Sequence, residues 1–299
     1  MFSTASLWIP FTVIAALGQV ARNAMQRSLT GPLGTWGATN IRFLFGFPFS
    51  LIFFGIAVAA TGDAVPWPTA AFWPWLLLGA LSQILGTGLM LLAMNERSFV
   101  VTTAYLKTEA IQTAIFGFVF LGDHLTALKV VAILIATIGV IVTALRPGVE
   151  KNFADIKPTL IGLVAAAAFA LSAIGFRGAI IVLPGVSFVT AASYTLVFGL
   201  FLQTLILTIY LLARAPDVLK KILGLWKPSL FAGFMGAFAS QFWFLAFALT
   251  AAANVRTLAL VEVLFAQAVA YYSFKQPLSA RELSGIALIV VGVALLVAV

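Results

Sequence analysis

The chain of 299 residues is far more apolar than a soluble protein, with 63% hydrophobic and only 9% charged residues and a mean hydropathy of +1.13. This composition excludes an ordinary soluble domain and is typical of a protein that lies in a lipid bilayer. The formal net charge is +8. The basic residues lie at span ends and in short loops, which favours anchoring at the cytoplasmic face over binding to nucleic acid.

Apolar runs of about 20 residues, the length that crosses the hydrocarbon core, predict ten transmembrane helices in an all-α integral membrane protein. The runs cover 7–27, 36–60, 70–94, 98–121, 125–145, 158–182, 186–213, 228–250, 254–274 and 281–299. A signal peptide begins with a basic segment, whereas residues 1–6 carry no Lys or Arg. We therefore expect the first run to be a retained helix. The chain is therefore expected to be one membrane unit without a soluble domain.

Residues that are 153 positions apart match in type along the chain. The informative pairs are Phe45/Phe198, Gly46/Gly199, Trp73/Trp226, Glu109/Glu262 and Gly139/Gly292. This register predicts two five-helix repeats, at 1–148 and 149–299. Because five is an odd number of crossings, the second repeat is expected to be inverted relative to the first, and the two repeats are expected to surround a central cavity.

The basic residues predict the orientation of the helices. Those on the odd-numbered connections are Arg27, Arg97, Arg146, Lys151, Lys157, Arg214, Lys220, Lys221, Lys227, Lys275 and Arg281. The termini and the even-numbered connections hold little beyond Lys129, Arg177 and Arg256. The positive-inside bias therefore predicts that the odd-numbered connections lie in the cytoplasm and that both termini lie on the opposite side of the membrane. The membrane is expected to be a plasma membrane, with a bacterial inner membrane favoured.

Spans five and ten are almost purely apolar and carry small residues at helical spacing, including Gly139 in one and Gly285 and Gly292 in the other. Helices without a polar stripe are expected to stay outside a polar cavity, and small residues allow close packing between membrane helices. We favour packing within one chain over a dimer interface. Both a monomer and a homodimer remain open.

Polar side chains concentrate on single faces of other predicted spans, where they are expected to line a cavity. Span one contributes Gln19, Arg22, Asn23 and Gln26, and span four contributes Thr102, Tyr105, Glu109, Gln112 and Thr113. Span eight adds Gln241 and Trp243. We predict that a solute binds among Glu109, Glu262, Tyr105, Gln112, Gln19, Asn23, Gln241 and Trp243.

The two intramembrane glutamates, Glu109 and Glu262, allow two interpretations. As functional groups, they would couple transport to protons or balance the ammonium group of a solute. As scaffold groups, they would be locked to charge partners for helix packing; the candidate partners are Arg22, Arg42, Lys107 and Arg256. Lys107 lies about 200° around the helix from Glu109, so each of these two residues needs a partner elsewhere.

Two segments, one in each half, carry a family resemblance. Residues 120–126 have the sequence FLGDHLT and are followed by Gly139, and residues 274–282 have the sequence FKQPLSARE and are followed by Gly285 and Gly292. The chain resembles the drug/metabolite transporter superfamily, specifically its EamA-like members with ten helices in two repeats. Asp123 stands where the family often has Glu, and the second copy has Lys275-Gln276 and has lost the acid.

The resemblance implies a secondary transporter of small metabolites that exports amino acids or related, including aromatic or hydrophobic, compounds by alternating access. It implies no cofactor or metal. Many members of the family have both termini in the cytoplasm, which disagrees with the charge distribution of this chain. We follow the charge distribution and expect both termini outside. The alternative is an uncoupled facilitator, channel or lipid scramblase of the same architecture. An enzyme is disfavoured, since the chain has one histidine, His124, and lacks Gly-x-Ser-x-Gly and His-Glu-x-x-His motifs.

Overall fold

A computed structural model of the chain describes residues 4–96, 105–144, 156–265, 267 and 279–298. These residues are helical with short connections and contain no strand. The helices are α1 (Trp8–Leu44), α2 (Gly46–Thr61), α3 (Phe72–Glu96), α4 (Glu109–Phe116), α5 (Ala127–Ala144), α6 (Ile156–Ile181), α7 (Phe188–Arg214), α8 (Pro216–Gly224), α9 (Trp226–Leu249), α10 (Ala252–Leu258) and α11 (Ala280–Ala298). The all-α membrane fold predicted from the composition is confirmed.

Helix α1 contains the first predicted span and the beginning of the second, because its backbone leaves the helical region at Gly34 (φ 68°, ψ 174°). A residue with a side chain adopts a positive φ at a steric cost, whereas glycine does so readily. Gly34 therefore separates the first predicted span from the second. The second crossing then continues through α2 and ends at Gly62, which caps the helix in the left-handed conformation (φ 71°).

Six helical stretches of the described residues are long and apolar enough to cross a membrane, and the longest of them, Trp8–Thr61, includes the break at Gly34. The apolar helix Ala127–Thr143 is slightly shorter. The protein is a multi-pass membrane protein. The short helix α8 lies between α7 and α9, where we had predicted only a connection.

Predicted spans four and nine are described in part. Span four comprises α4 and a π-helical turn, Gly117–Leu121, and span nine begins with α10 and a 3-10 turn, Ala259–Val261. Several residues used in the sequence analysis lie outside the described residues, namely Arg97, Thr102, Arg146, Lys151 and residues 274–278.

The most extensive helix packing among the described residues joins α1 to α9, α3 to α6, α5 to α11 and α2 to α7. A shift of 153 residues carries α9 onto 73–96, which is α3, and carries α5 onto 280–297, which is α11. The same shift interchanges the pair α1–α9 with the pair α6–α3. The main helix contacts are therefore preserved as a set under the 153-residue shift.

Helices α5 and α11 meet through their small residues. A Cβ atom built on Gly139 would lie 2.7 Å from the carbonyl oxygen of Gly285, and one built on Gly292 would lie 2.6 Å from the backbone nitrogen of Ala136. Low residue numbers of α5 thus face high numbers of α11, so the two helices run antiparallel. Corresponding helices of a parallel repeat would run in the same direction.

Candidate functional site

Glu109 and Arg256 form an ion pair inside the helix bundle. Glu109 lies in the first turn of α4 and Arg256 in the last turn of α10. Arg256 Nε lies 2.8 Å from Glu109 Oε1, at an angle that makes the contact an ion pair without a well-formed hydrogen bond. The two side chains are only 8% and 14% exposed, so the charges are held largely away from solvent. Each charge of such a pair needs the other, because a buried charge without a partner destabilises the folded protein.

A second ion pair joins the same two parts of the chain, with the cation now in the first half and the glutamate in the second. The ammonium group of Lys107 donates to Glu262 Oε1, and both side chains are 11% exposed. The glutamate of each half is therefore paired with a cation of the other half. Lys107 and Glu109, which cannot pair with each other, thus each lie beside a charged residue of the other half. The two glutamates also interact electrostatically with each other, so the two pairs form one cluster.

Aromatic side chains of α9 support Arg256. Its guanidinium carbon lies 4.7 Å from the ring centroid of Trp243 and 5.3 Å from that of Phe247. A cation above a buried aromatic face is stabilised by the ring quadrupole. Trp243 is buried, and its Nε1 donor has no hydrogen-bond partner among the described residues.

Arg22 and Arg42 extend the cluster into the first half. Arg22 interacts electrostatically with Arg256, Glu262 and Glu109, and Arg42 interacts with Arg22 and Arg256. Both side chains are 2% exposed. The six charged groups of the centre, which we call the central cluster, are Arg22, Arg42, Lys107, Glu109, Arg256 and Glu262.

Arg22 binds its neighbour, since Nη2 and Nε donate to Asn23 Oδ1 at 2.7 and 3.2 Å. This contact brings Asn23 into the cluster's surroundings. Gln19 lies one turn before Asn23 and is half-buried.

The other predicted site residues are bound to neighbouring helices. The Tyr105 hydroxyl lies 2.8 Å from Thr159 Oγ1 of α6. Gln112 Nε2 donates to the backbone oxygen of Leu163 of α6 at 3.5 Å, and to Thr108 Oγ1 of its own segment at 3.1 Å. Gln241 Nε2 donates to Ser193 Oγ of α7 at 2.8 Å. These contacts hold the amide and phenol groups at helix interfaces around the cluster.

Sequence reasoning missed a third buried ion pair, at Arg177 of α6. Arg177 donates to the backbone oxygens of Phe247, at 2.7 Å, and of Thr250, and its Nη2 lies 3.3 Å from Asp123 Oδ1. One guanidinium thereby joins the end of α9 to the segment after the π-helical turn. A usable signal was present, because Arg177 is a charged residue inside an apolar helix. We had considered it only for orientation.

The arrangement can exchange ions without exposing a bare charge. Each carboxylate has a cation beside it, and Arg256 also lies over the rings of Trp243 and Phe247. A solute that carries its own charges can replace one member of a pair while the other stays compensated, which lowers the cost of entry into a low-dielectric interior.

Comparison with known proteins agrees with the fold. Residues 6–145 match the model of the EamA-like transporter family, so the first half of the chain is similar to that family. This match indicates a membrane transporter of small solutes. No curated protein matches the chain.

A solved crystal structure has the same fold over nearly the whole chain. The TM-score is 0.70 at 13% identity, and the match covers 99% of this chain and 96% of the other. At that identity the likeness concerns the fold alone. The similarity in fold covers both halves of the chain.

Proposed function

We propose that the protein is a secondary transporter that exports amino acids or related small metabolites across the plasma membrane by alternating access. One observation carries the proposal: the two buried ion pairs cross between the halves, with Glu109 on Arg256 and Lys107 on Glu262. A movement of one half against the other has to rearrange both pairs. A solute that binds at the pairs is thereby coupled to the movement.

The chemistry of the cluster suits an amino acid. Its carboxylate can replace Glu109 beside Arg256, and its ammonium group can occupy the place of a cation beside Glu262. Trp243 and Phe247 would offer their faces to an apolar or aromatic side chain. Glu109 and Glu262 are also the candidate groups for proton coupling, because intramembrane carboxyl groups are the usual members of proton relays in transporters.

The moving parts in this proposal are two inverted repeats, 1–148 and 149–299. Support comes from the helix pairs that interchange under the 153-residue shift and from the antiparallel course of α5 and α11. Alternating access then follows from rocking one repeat against the other around a site at their interface.

The test is solute counterflow into proteoliposomes that are preloaded with an unlabelled amino acid. Radiolabelled leucine, phenylalanine and glutamate are the probes, and E109Q and E262Q are the variants, because Gln keeps the shape and removes the charge. D217N is the matched control, since Asp217 forms only an exposed pair with Lys220 at 3.5 Å, with both side chains 82% exposed. We expect internal solute to accelerate uptake by the wild type. In E109Q or E262Q, we expect the flux to fall by a factor of about ten or more, equivalent to ~1.4 kcal/mol.

Two results would contradict the proposed transport mechanism, and a third would contradict the proposed site. Uptake that is never accelerated by internal solute would favour a channel or facilitator, and rapid movement of a fluorescent lipid between leaflets would favour a scramblase. An unchanged flux and pH profile in the E109Q/E262Q double variant would make both glutamates packing groups and remove the cluster from the solute site.

A further inference from the structure

The central cluster contains more cations than anions. Arg22, Arg42, Lys107 and Arg256 supply four positive charges, and Glu109 and Glu262 supply two negative ones, which leaves a formal excess of two positive charges. The two ion pairs account for Lys107 and Arg256. The excess therefore resides on Arg22 and Arg42.

Neither of these arginines has a carboxylate within 4 Å in the described part of the chain. Arg22 has only the amide oxygen of Asn23. Arg42 Nη1 donates to Thr87 Oγ1 at 3.2 Å, its guanidinium carbon lies 5.2 Å from the Phe43 ring centroid, and its Nε has no partner among the described residues. Hydroxyl, amide and ring dipoles offset only part of the cost of a buried charge.

The two side chains lie side by side over one glycine of α9. A Cβ built on Gly236 would lie 2.9 Å from Arg42 Cγ and 3.5 Å from Arg22 Cδ. Gly236 is near the middle of α9, and Arg22 is near the middle of the first crossing. Two like charges are thus placed together deep within the bundle, where their repulsion is weakly screened.

We infer that Arg22 and Arg42 together bind the oxyanion group of the transported solute, and that this solute carries a net negative charge. The guanidinium fork binds carboxylate and phosphate through two parallel hydrogen bonds, so a pair of forks matches either group. An anion between them relieves their repulsion and reduces the charge excess of the cluster. This inference rests on the proposed function. Among amino acids and related small metabolites, it selects the anionic ones, namely acidic amino acids, other organic acids and organic phosphates.

The first experiment uses the wild-type protein and probes that differ in charge but little in shape. Succinate, succinamate and succinamide carry two, one and no negative charges at neutral pH, and glycerol 3-phosphate is compared with glycerol to separate phosphate from carboxylate. Competition with labelled substrate and ligand-induced thermal shift in detergent give the affinities. In the series that binds more tightly, we expect each lost charge to raise Kd by a factor of about ten or more, which corresponds to ~1.4 kcal/mol.

The second experiment tests the two arginines. R22Q and R42Q should each weaken binding of the anionic probe at least about tenfold, whereas R42K should keep part of the affinity because it keeps the charge. R27Q is the matched control, since Arg27 is an exposed cation on the same helix, and it should bind as the wild type does. Size-exclusion profiles identify variants that fail to fold, and the wild-type charge series decides the question without them.

The outcomes separate this inference from the proposed function. Counterflow of neutral or zwitterionic solutes with equal affinity for succinate and succinamide would overturn the anion site and leave the transporter intact. Anion binding that depends on Arg22 and Arg42 without counterflow of any probe would support the site and contradict the proposed transport. Full affinity for the anionic probes in R22Q and R42Q would overturn the assignment of these residues.

Discussion

Arg256 Nε lies 2.8 Å from Glu109 Oε1, although the two residues come from opposite halves of the chain. The same guanidinium packs on the faces of Trp243 and Phe247. Its position is thus fixed by a charge on one side and by aromatic rings on the other. Removal of Glu109 alone would leave the cation in the bundle with only the rings for compensation.

Stability should therefore follow a double-mutant cycle at this pair. We expect E109Q or R256Q alone to lower the free energy of unfolding by about 3–5 kcal/mol, the range for breaking a buried ion pair. The E109Q/R256Q double variant should lose less than the sum of the two single variants. Thermal unfolding in detergent measures this, with D217N as an exposed control near zero. Additive single effects would show that the two groups do not interact.

The contact between α5 and α11 should not tolerate even one added methyl group. A Cβ on Gly139 would fall 2.7 Å from the Gly285 oxygen and from the Ile289 nitrogen. We expect G139A to destabilise the protein by about 1–3 kcal/mol through overpacking. Gly55 of α2 is the control, because it is exposed and a Cβ there meets no atom within 4 Å. G55A should be neutral or stabilising, and equal effects of the two substitutions would contradict the packing.

The contact between Asp63, in the loop after α2, and Ser187 should make the stability of the protein sensitive to acid. Hydrogen bonds from Ser187 and Thr190 lower the pKa of Asp63 to about 2, and its Oδ2 accepts from the Ser187 backbone nitrogen at 2.9 Å. Because the folded pKa lies below the ordinary value of 3.8, this contribution is complete above that value and is lost as the pH falls through about 2. D63N should remove this part of the pH dependence of unfolding, while D217N should keep it. An identical acid profile for D63N would contradict the contact.

Both termini should lie outside the cytoplasm, as the distribution of Lys and Arg predicts. A C-terminal alkaline phosphatase fusion is then active and a C-terminal GFP fusion is dark in intact cells. GFP inserted near Lys220 in α8 serves as the opposite control and should fluoresce. A bright C-terminal GFP fusion would show that the arrangement common in the family outweighs the charge count.

The fold class followed from the sequence because membrane helices leave a strong local signal, in length and in hydropathy. The break at Gly34 falls between the first two predicted spans, and the small residues of α5 and α11 pack within the chain, as we favoured. Helix α8 was missed because a nine-residue helix with five charged or turn-forming residues resembles a loop in composition. Its position depends on burying Ile222, which is 0% exposed.

The members of the central cluster could be selected from sequence, but their pairing could not. The angle between Lys107 and Glu109 showed that these two do not pair, whereas the choice of Arg256 over Arg22 or Arg42 depends on how α10 packs on α4. Tyr105 and Gln112 share a helical face with Glu109, yet they bind Thr159 and Thr108. A shared face does not fix which neighbouring group satisfies each polar side chain.

The contacts of Arg177 have a consequence for how the bundle can open at that end. Its guanidinium holds two backbone oxygens of α9 and its cap together with the carboxylate of Asp123. A separation of α6 from both α9 and the α4–α5 connection has to break all of these contacts, since they share a single planar group. Phe247 links that event to the central cluster, because its carbonyl oxygen binds Arg177 and its ring contacts Arg256. Opening there is consequently a cooperative step with a threshold.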